Sequence, residues 1–292
     1  MDYRKKLVVE PGSKVRLSKI DPSYSGEHES HEKALPEIQA NVERMDKLQY
    51  LLYADGSQSL LVVLQALDAA GKDGVIRHVF SGMNPQGTFV FGFKQPSKDE
   101  AAHDFLWRAH LRTPEKGEVV VFNRSHYEDV LVVRVHKLVE RRVWSKRYDL
   151  INDFEKILIQ NRTTILKFFL HISPEEQLAR FKQRLDDPSR HWKISESDYS
   201  ERELWPQYVE AYEDAVALTS TKRAPWYIIP ANHKWFRNLA VSQIVADTMD
   251  EMGLKLPPTR VNIADISRKY HAAARAKTGK GKGRTKEAVK AE

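Results

Sequence analysis

A glycine-containing loop with one lysine is the feature of this sequence with the clearest chemical implication. Residues 66–74 read Ala-Leu-Asp-Ala-Ala-Gly-Lys-Asp-Gly, between an apolar run and a segment of helical composition. A strand, a tight loop and a helix that opens on Gly-Lys form a cradle for phosphate, in which backbone amides face the anion and the lysine reaches its outer oxygens. The pattern therefore predicts a phosphate site formed by Ala69, Ala70, Gly71, Lys72, Asp73 and Gly74.

This loop departs from the usual P-loop pattern at two positions. Ala66 stands where the pattern has its first glycine, and Asp73 stands where it has the hydroxyl that binds Mg²⁺. A carboxylate at Asp68 would repel phosphate unless a divalent cation lay between them. We therefore predict that Asp68 holds the metal. The structural alternatives are an aspartate that caps the next helix and an ordinary strand–turn–helix with an exposed lysine.

A second polar cluster follows another apolar run, in the segment Phe-Asn-Arg-Ser-His-Tyr-Glu-Asp at residues 122–129. In a parallel sheet this segment would lie at the same edge as the loop. The guanidinium group of Arg124 can donate two hydrogen bonds to phosphate oxygens in a bidentate arrangement. Asn123 stands where P-loop enzymes often have a second acidic metal contact, and Glu128 is within reach of a metal or a water. Each residue alone also fits a helix cap or a surface charge, but their clustering favours a site.

A third element, residues 180–193, is rich in arginine and contains an Asp-Pro step that must end a helix. Mobile, arginine-rich lids close over the sites of phosphoryl-transfer enzymes. We therefore predict that Arg184, Arg190 and Lys193 contact phosphate from a lid at about residues 178–200. A surface helix hairpin with paired charges is the alternative.

Apolar runs alternate with segments of helical composition along most of the chain. Short, continuous apolar runs are typical of strands buried on both faces, and their alternation with helices predicts an α/β fold with a five-stranded parallel sheet between two helical layers. The predicted strands are 59–67, 88–93, 117–123, 164–172 and 225–230. The main predicted helices are 98–112, 125–160, 174–186, 198–219 and 234–253.

Composition limits the class of protein. The 292 residues are 41% hydrophobic, which is too much for a disordered chain, and no apolar run has the length of a membrane span. The first residues contain no apolar stretch of signal-peptide length. The sequence has no cysteine, which excludes disulfides, thiolate zinc sites and cysteine nucleophiles. We expect a soluble cytoplasmic protein.

The net charge of +7 is confined to the end of the chain. Residues 259–292 contain ten Lys and Arg against three acids, and the remainder balances at 37 of each. We predict an irregular N-terminal arm at 1–29, a catalytic domain at 30–256 and a disordered basic tail at 257–292. The neutral body gives no support for nucleic-acid binding, although the tail alone could dock on a polyanion.

Taken together, these motifs resemble those of the family-2 polyphosphate kinases over about residues 30–255. The resemblance rests on LDAAGKDG, FNRSHYEDV, RLDDPSRHWK and PWYIIPANHKW. It implies a P-loop kinase core with a helical lid and reversible, Mg²⁺-dependent phosphoryl transfer between inorganic polyphosphate and a nucleotide, with Mn²⁺ able to replace Mg²⁺. It also implies a homodimer or homotetramer. By the motifs, Asp68 is the metal ligand, Lys72 the phosphate-binding lysine, Arg124 the Walker-B-side arginine and Arg184 the lid arginine.

One difference within these motifs bears on the nucleotide. Many family members have Asp-Arg-Ser-Trp-Tyr-Asn where this chain has Asn-Arg-Ser-His-Tyr-Glu at 123–128. The Asn123 and Glu128 variants resemble the subgroup that accepts both AMP and ADP and so produces ATP from either. Two alternatives remain open: an ATP-dependent nucleoside monophosphate kinase on the same core, and a non-enzymatic polyanion-binding protein dominated by the tail.

Overall fold

A five-stranded, all-parallel β-sheet forms the centre of the computed structural model, which describes residues 1–281. The strand order is β2-β3-β1-β4-β5. The strands are β1 (Ser59–Ala66), β2 (Thr88–Gly92), β3 (Val119–Asn123), β4 (Thr163–His171) and β5 (Trp226–Pro230). Since β1 and β3 are neighbours, the segments that follow their carboxyl ends lie side by side.

Helices cover both faces of the sheet. The longer ones are α2 (His31–Asp55), α8 (Arg147–Gln160), α9 (Pro174–Asp186), α11 (Trp205–Thr219) and α12 (Lys234–Glu251). The shorter ones in the same part of the chain are α1 (Tyr3–Leu7), α3 (Lys72–Val75), α4 (Lys98–Ala102), α5 (Trp107–His110), α6 (Val132–Val135), α7 (Arg141–Trp144) and α10 (Ser197–Glu203). A π-helical turn, Ile76–Phe80, continues α3, and 3₁₀ turns form at Leu17–Lys19, His126–Asp129 and Pro188–Lys193.

The position of β1 at the centre of the sheet explains why its sequence is apolar. Leu60, Val62 and Leu64 point into the core beneath α2 and α12. Leu61 and Val63 point to the opposite core, beneath α8 and α11. Because successive side chains of a strand alternate between faces, a strand covered on both sides is apolar along most of its length. The two buried polar side chains of β1, Ser59 and Gln65, form hydrogen bonds with Thr163 and Ser125. The predicted three-layer α/β fold is confirmed, and every predicted strand is present to within two residues at each end.

The helix predicted at 125–160 is instead broken into four pieces: the turn at 126–129, α6, α7 and α8. Lys137 has a positive φ of 55°, which ends the helical path after α6. Apolar spacing does not reveal such a break, because the pieces on either side still bury apolar residues in the same core.

The two ends of the chain also contain more regular structure than expected. In the arm predicted to be irregular, α1 buries Tyr3 and Leu7, and Val8 forms an antiparallel bridge with Tyr227 that covers the free edge of β5. The chain divides into two units, Met1–Lys255 and a second that begins at Leu256. Within the second, where we predicted a disordered tail, α13 (Ile263–Gly281) is helical. The prediction for 282–292 falls outside the described residues.

Within residues 1–281, no helix combines the length and the hydropathy that a membrane span requires.

Candidate functional site

The loop between β1 and α3 turns sharply and presents its backbone amides. Ala69 and Gly71 have positive φ angles of 62° and 105°. A non-glycine residue in this region is strained, which is common at functional sites. The amides of residues 71–74 donate to no other group in residues 1–281. They are the free donors expected at the start of a helix, and they suit an anion.

Two arginines hold this loop from the protein side. Arg180 of α9 donates through Nη1 to the carbonyl oxygens of Ala69 and Ala70, each at 2.9 Å, and Arg237 of α12 donates to that of Ala70 at 3.3 Å. The carbonyl and the N–H of a trans peptide point in opposite directions. Fixing the Ala70 carbonyl towards the arginines therefore directs the Gly71 amide away from them.

Lys72 is the first residue of α3, and its ammonium group lies at the same loop. Its Nζ donates to the carbonyl oxygen of Ala66 at 3.0 Å, at the end of β1. Burial lowers the pKa of Lys72, and the nearby Asp68 carboxylate opposes this shift. Such an ammonium gains from an additional anionic partner.

Asp68 and Arg124 join the two segments at the sheet edge. Arg124 has a positive φ of 62°, and its Nη2 lies 3.0 Å from Oδ1 of Asp68. Its Nη1 lies 3.8 Å from the Glu128 carboxylate. Burial works to lower the pKa of Arg124, but Glu128 and Asp68 outweigh it and the pKa is raised. Arg124 therefore stays charged between two carboxylates.

Glu128 is the most enclosed carboxyl group of this site. Burial raises its pKa, against the opposing effects of Arg124 and Lys72. Asn123, at the end of β3, donates from Nδ2 to Oδ1 of Asp73 at 2.9 Å. This hydrogen bond ties the β3 segment to the start of α3.

Two cavities share Asp68 in their walls. The larger, about 1060 Å³, is strongly basic: eight of its described lining residues are Lys or Arg and two are acidic. The basic residues are Lys72, Arg77, Arg180, Arg184, Arg190, Lys193, Lys234 and Arg237. The smaller, about 230 Å³, has a different character, with Arg124, three acids and three large aromatic side chains. Its acids and aromatics are Asp68, Glu128, Glu201, Trp205, Tyr208 and Tyr212.

The segment from α9 to α10 covers the basic cavity. As the Asp-Pro step predicts, α9 ends at Asp186, and Asp187 caps the 3₁₀ turn that carries Arg190 and Lys193. Arg184 reaches back to Asp198 of α10, with 3.4 Å between Nη1 and Oδ2. On the other side, Glu201 of α10 lies 3.0 Å from Nε2 of His136. The segment thus contacts both the basic cavity and the smaller one.

A divalent cation fits this chemistry when phosphate oxygens complete its ligands. No group of three or more His, Asp or Glu side chains in the described chain is arranged to hold a metal by itself. Asp68 is 35% exposed, and within residues 1–281 only Oδ1 of its carboxylate accepts a hydrogen bond, from Arg124. Mg²⁺ commonly binds one or two carboxylates together with substrate phosphates and waters. Asp68 therefore suits a cation that is shared with a phosphate chain.

Most of the predicted site residues line one of the two cavities. Asp68, Ala69, Gly71, Lys72, Asp73, Gly74, Arg184, Arg190 and Lys193 line the basic cavity, and Asp68, Arg124 and Glu128 line the smaller one. Ala70 and Asn123 line neither. Ala70 is buried, with its carbonyl held by arginines, and Asn123 is bonded to Asp73.

Sequence reasoning missed several residues of these cavities. Arg77, Lys234 and Arg237 line the basic cavity, while His136, Glu201 and Tyr208 line the smaller one. A signal for Lys234 and Arg237 was present, since both closely follow β5 at the same sheet edge. Arg180, expected at the edge of the lid, instead lies buried beneath the loop.

Known proteins resemble this chain over nearly its whole length. It is 51% identical over 254 residues to an AMP/ADP-polyphosphate phosphotransferase of Meiothermus ruber, a match that covers 87% of this chain and 95% of the relative. An ADP-polyphosphate phosphotransferase of Rhodopseudomonas palustris is 45% identical over 271 residues, which is 87% of this chain and 92% of the relative.

The fold is likewise similar to that of a solved structure. The crystal structure of polyphosphate kinase 2 from Arthrobacter aurescens superposes with a TM-score of 0.90 at 40% identity, covering 93% of this chain and 97% of that one. The family model of polyphosphate kinase 2 matches residues 27–257, which include both cavities and the loop between them. The chain belongs to the polyphosphate kinase 2 family.

Proposed function

We propose that this protein transfers phosphoryl groups from inorganic polyphosphate to adenine nucleotides, which converts AMP to ADP and ADP to ATP, and that it also catalyses the reverse transfers. The observation that carries the proposal is the wall shared by the two cavities at Asp68. The basic cavity suits a long phosphate chain, because its described lining contains eight Lys and Arg residues and only two acids. The smaller cavity, with its aromatic side chains, suits a nucleotide.

In this mechanism the chain's own groups position the phosphates and neutralise their charge. The acceptor's phosphate oxygen is already anionic, so no strong general base is required. Lys72 and Arg124 bind the transferring group from the two sides of Asp68. The amides of residues 71–74 bind the phosphate chain. Arg184 contacts the phosphates from the lid. A divalent cation held by Asp68, Mg²⁺ in this proposal, supplies further neutralisation of charge.

We further propose that Glu128 supports the use of AMP. Its carboxylate lies in the smaller cavity beside Arg124. In this proposal, that is the place where AMP lacks the second phosphate of ADP. There it can hold a water or a cation in place of the missing phosphate. Changing Glu128 to Gln keeps the side-chain shape and removes the charge. We expect turnover of AMP to fall about tenfold more than turnover of ADP, since one hydrogen bond to a charged group is worth about 1.5 kcal/mol or more.

The measurement is the initial rate with each nucleotide at saturating polyphosphate. Glu201→Gln is the matched control, because it removes another carboxylate of the same cavity that is bonded to His136 and Tyr208 rather than to Arg124. Equal losses with AMP and ADP in Glu128→Gln would contradict the role in AMP use.

The activity itself is tested by ³¹P NMR of the purified protein with Mg²⁺, polyphosphate and AMP, without ATP. We expect ADP and ATP signals to grow while the signal of internal polyphosphate phosphorus declines. If only ADP appears, the assignment to the subgroup that uses both nucleotides is wrong. If nothing changes until ATP is added, the protein is a nucleoside monophosphate kinase instead.

The replacement of Mg²⁺ by Mn²⁺ and the assembly into a dimer or tetramer stay predictions from the resemblance. The cytoplasmic location stays a prediction from the composition.

A further inference from the structure

Arg237 is a buried cation without a carboxylate partner. Its side chain belongs to α12 and the residue is 2% exposed. Within residues 1–281 it forms no ion pair; its hydrogen bonds go to the carbonyl oxygen of Ala70 at 3.3 Å and to Oδ1 of the neighbouring Asn238 at 2.9 Å. The buried Arg180 beside it differs, since Glu176 lies 2.7 Å from its Nε.

The guanidinium of Arg237 fills the space directly behind the phosphate-binding loop. A Cβ atom added at Gly71 would collide with Nη1 of Arg237, and one added at Gly74 would lie 2.8 Å from Nη2. Both glycines are therefore required for the close approach of backbone and guanidinium. The same side chain also lines the basic cavity, together with the loop residues Gly71, Lys72 and Gly74.

An unpaired buried charge is costly to a folded protein. Burial and the neighbouring Arg180 lower the pKa of Arg237 below its usual range, in the direction expected for such a charge. A hydrophobic residue of similar size would avoid this cost. An arginine at this position is explained if a bound anion balances its charge while the protein carries out its reaction.

We propose that Arg237 is a positioning residue whose charge is balanced by the phosphate chain of the donor, so that anion binding in the basic cavity and the order of the 68–74 loop are energetically coupled. This inference rests on the proposed function, because it takes the donor to be polyphosphate. Arg237 acts on the transfer through the loop amides that it holds in place, by its bond to the Ala70 carbonyl.

The test compares wild type with Arg237→Met, using tripolyphosphate as the probe and no nucleotide. Methionine has an unbranched side chain without charge. We expect the anion-free variant to unfold thermally at the same temperature as wild type or higher, because an uncompensated buried charge has been removed. The affinity for tripolyphosphate, measured by calorimetry, should fall about tenfold or more, and the rise in unfolding temperature that it produces should shrink accordingly.

Arg108→Met is the matched control. Arg108 is also buried, but it is paired with Asp129 and lies outside both cavities. Its loss should lower the unfolding temperature and leave the affinity for tripolyphosphate unchanged. Arg237→Lys, which restores the charge without the planar fork, should recover part of the affinity.

Two results would overturn the proposal. One is an Arg237→Met protein that is clearly less stable without the anion yet binds tripolyphosphate as wild type does, which would make Arg237 a purely structural residue. The other is a Lys variant that binds no better than the Met variant. If wild type itself does not bind tripolyphosphate, the proposed function is contradicted, and the role of Arg237 is contradicted with it. The ³¹P experiment tests the proposed function without reference to Arg237.

Discussion

Lys72→Ala is expected to lower kcat for polyphosphate-dependent ATP formation by about 100-fold or more. A single donor aimed at developing charge in a transition state is worth about 3 kcal/mol. Lys72 is the first residue of α3, and burial lowers its pKa, so its ammonium would be stabilised by a phosphate bound at the loop. The measurement is the rate of ATP formation at saturating polyphosphate and ADP.

The fold should survive this change. The only hydrogen bond of Lys72 Nζ within the described chain goes to the carbonyl oxygen of Ala66. The unfolding temperature should therefore stay close to that of wild type. Lys47, exposed on α2, is the control lysine, and its change to Ala should leave kcat unaltered. Near-normal turnover in Lys72→Ala would remove this residue from the mechanism.

Asp68→Asn is expected to have an effect at least as large, with a different signature. Charge neutralisation by a metal ion is worth several kcal/mol, and each 1.4 kcal/mol or so corresponds to a factor of ten in rate. An amide is a poorer ligand for Mg²⁺ than a carboxylate. We expect kcat to fall about 100-fold or more and the Mg²⁺ concentration for half-maximal activity to rise. A titration of rate against Mg²⁺ measures both.

Binding of polyphosphate separates this variant from Lys72→Ala. The asparagine variant loses a negative charge next to Arg124, so its affinity for tripolyphosphate without metal should hold or increase, whereas Lys72→Ala should bind more weakly. Asp46→Asn, at an exposed position of α2, serves as the control. An unaltered Mg²⁺ requirement in Asp68→Asn would show that the metal is held elsewhere.

Much of the fold could be predicted from the sequence because its strands are buried on both faces. The run at 59–67 has no polar face, and a short apolar run of this kind is typical of a strand that helices cover on both sides. The helical regions were harder to predict. The break at Lys137 depends on one backbone angle, and the helix at 263–281 forms where a basic, weakly apolar sequence predicts disorder.

The site could be predicted to the extent that it depends on the order of segments along the sheet edge. Parallel strands place the residues after β1 and β3 together, which is why Asp68 and Arg124 are in contact. The inward direction of Arg180 and the approach of Arg237 to the loop depend on how α9 and α12 pack. In the sequence alone, both residues are ordinary helix charges with no indication of burial.

Asp68 belongs to the walls of both cavities. In the function that we propose, donor and acceptor therefore approach one carboxylate from two sides. Substrates arranged in this way are expected to exchange the phosphoryl group in a single displacement, which inverts the configuration at phosphorus. The reverse step retraces the same path, with the chain growing by one unit as the nucleotide loses one. Such a protein imposes no direction of its own, and the relative amounts of nucleotide and polymer decide whether the cell stores phosphate or releases it.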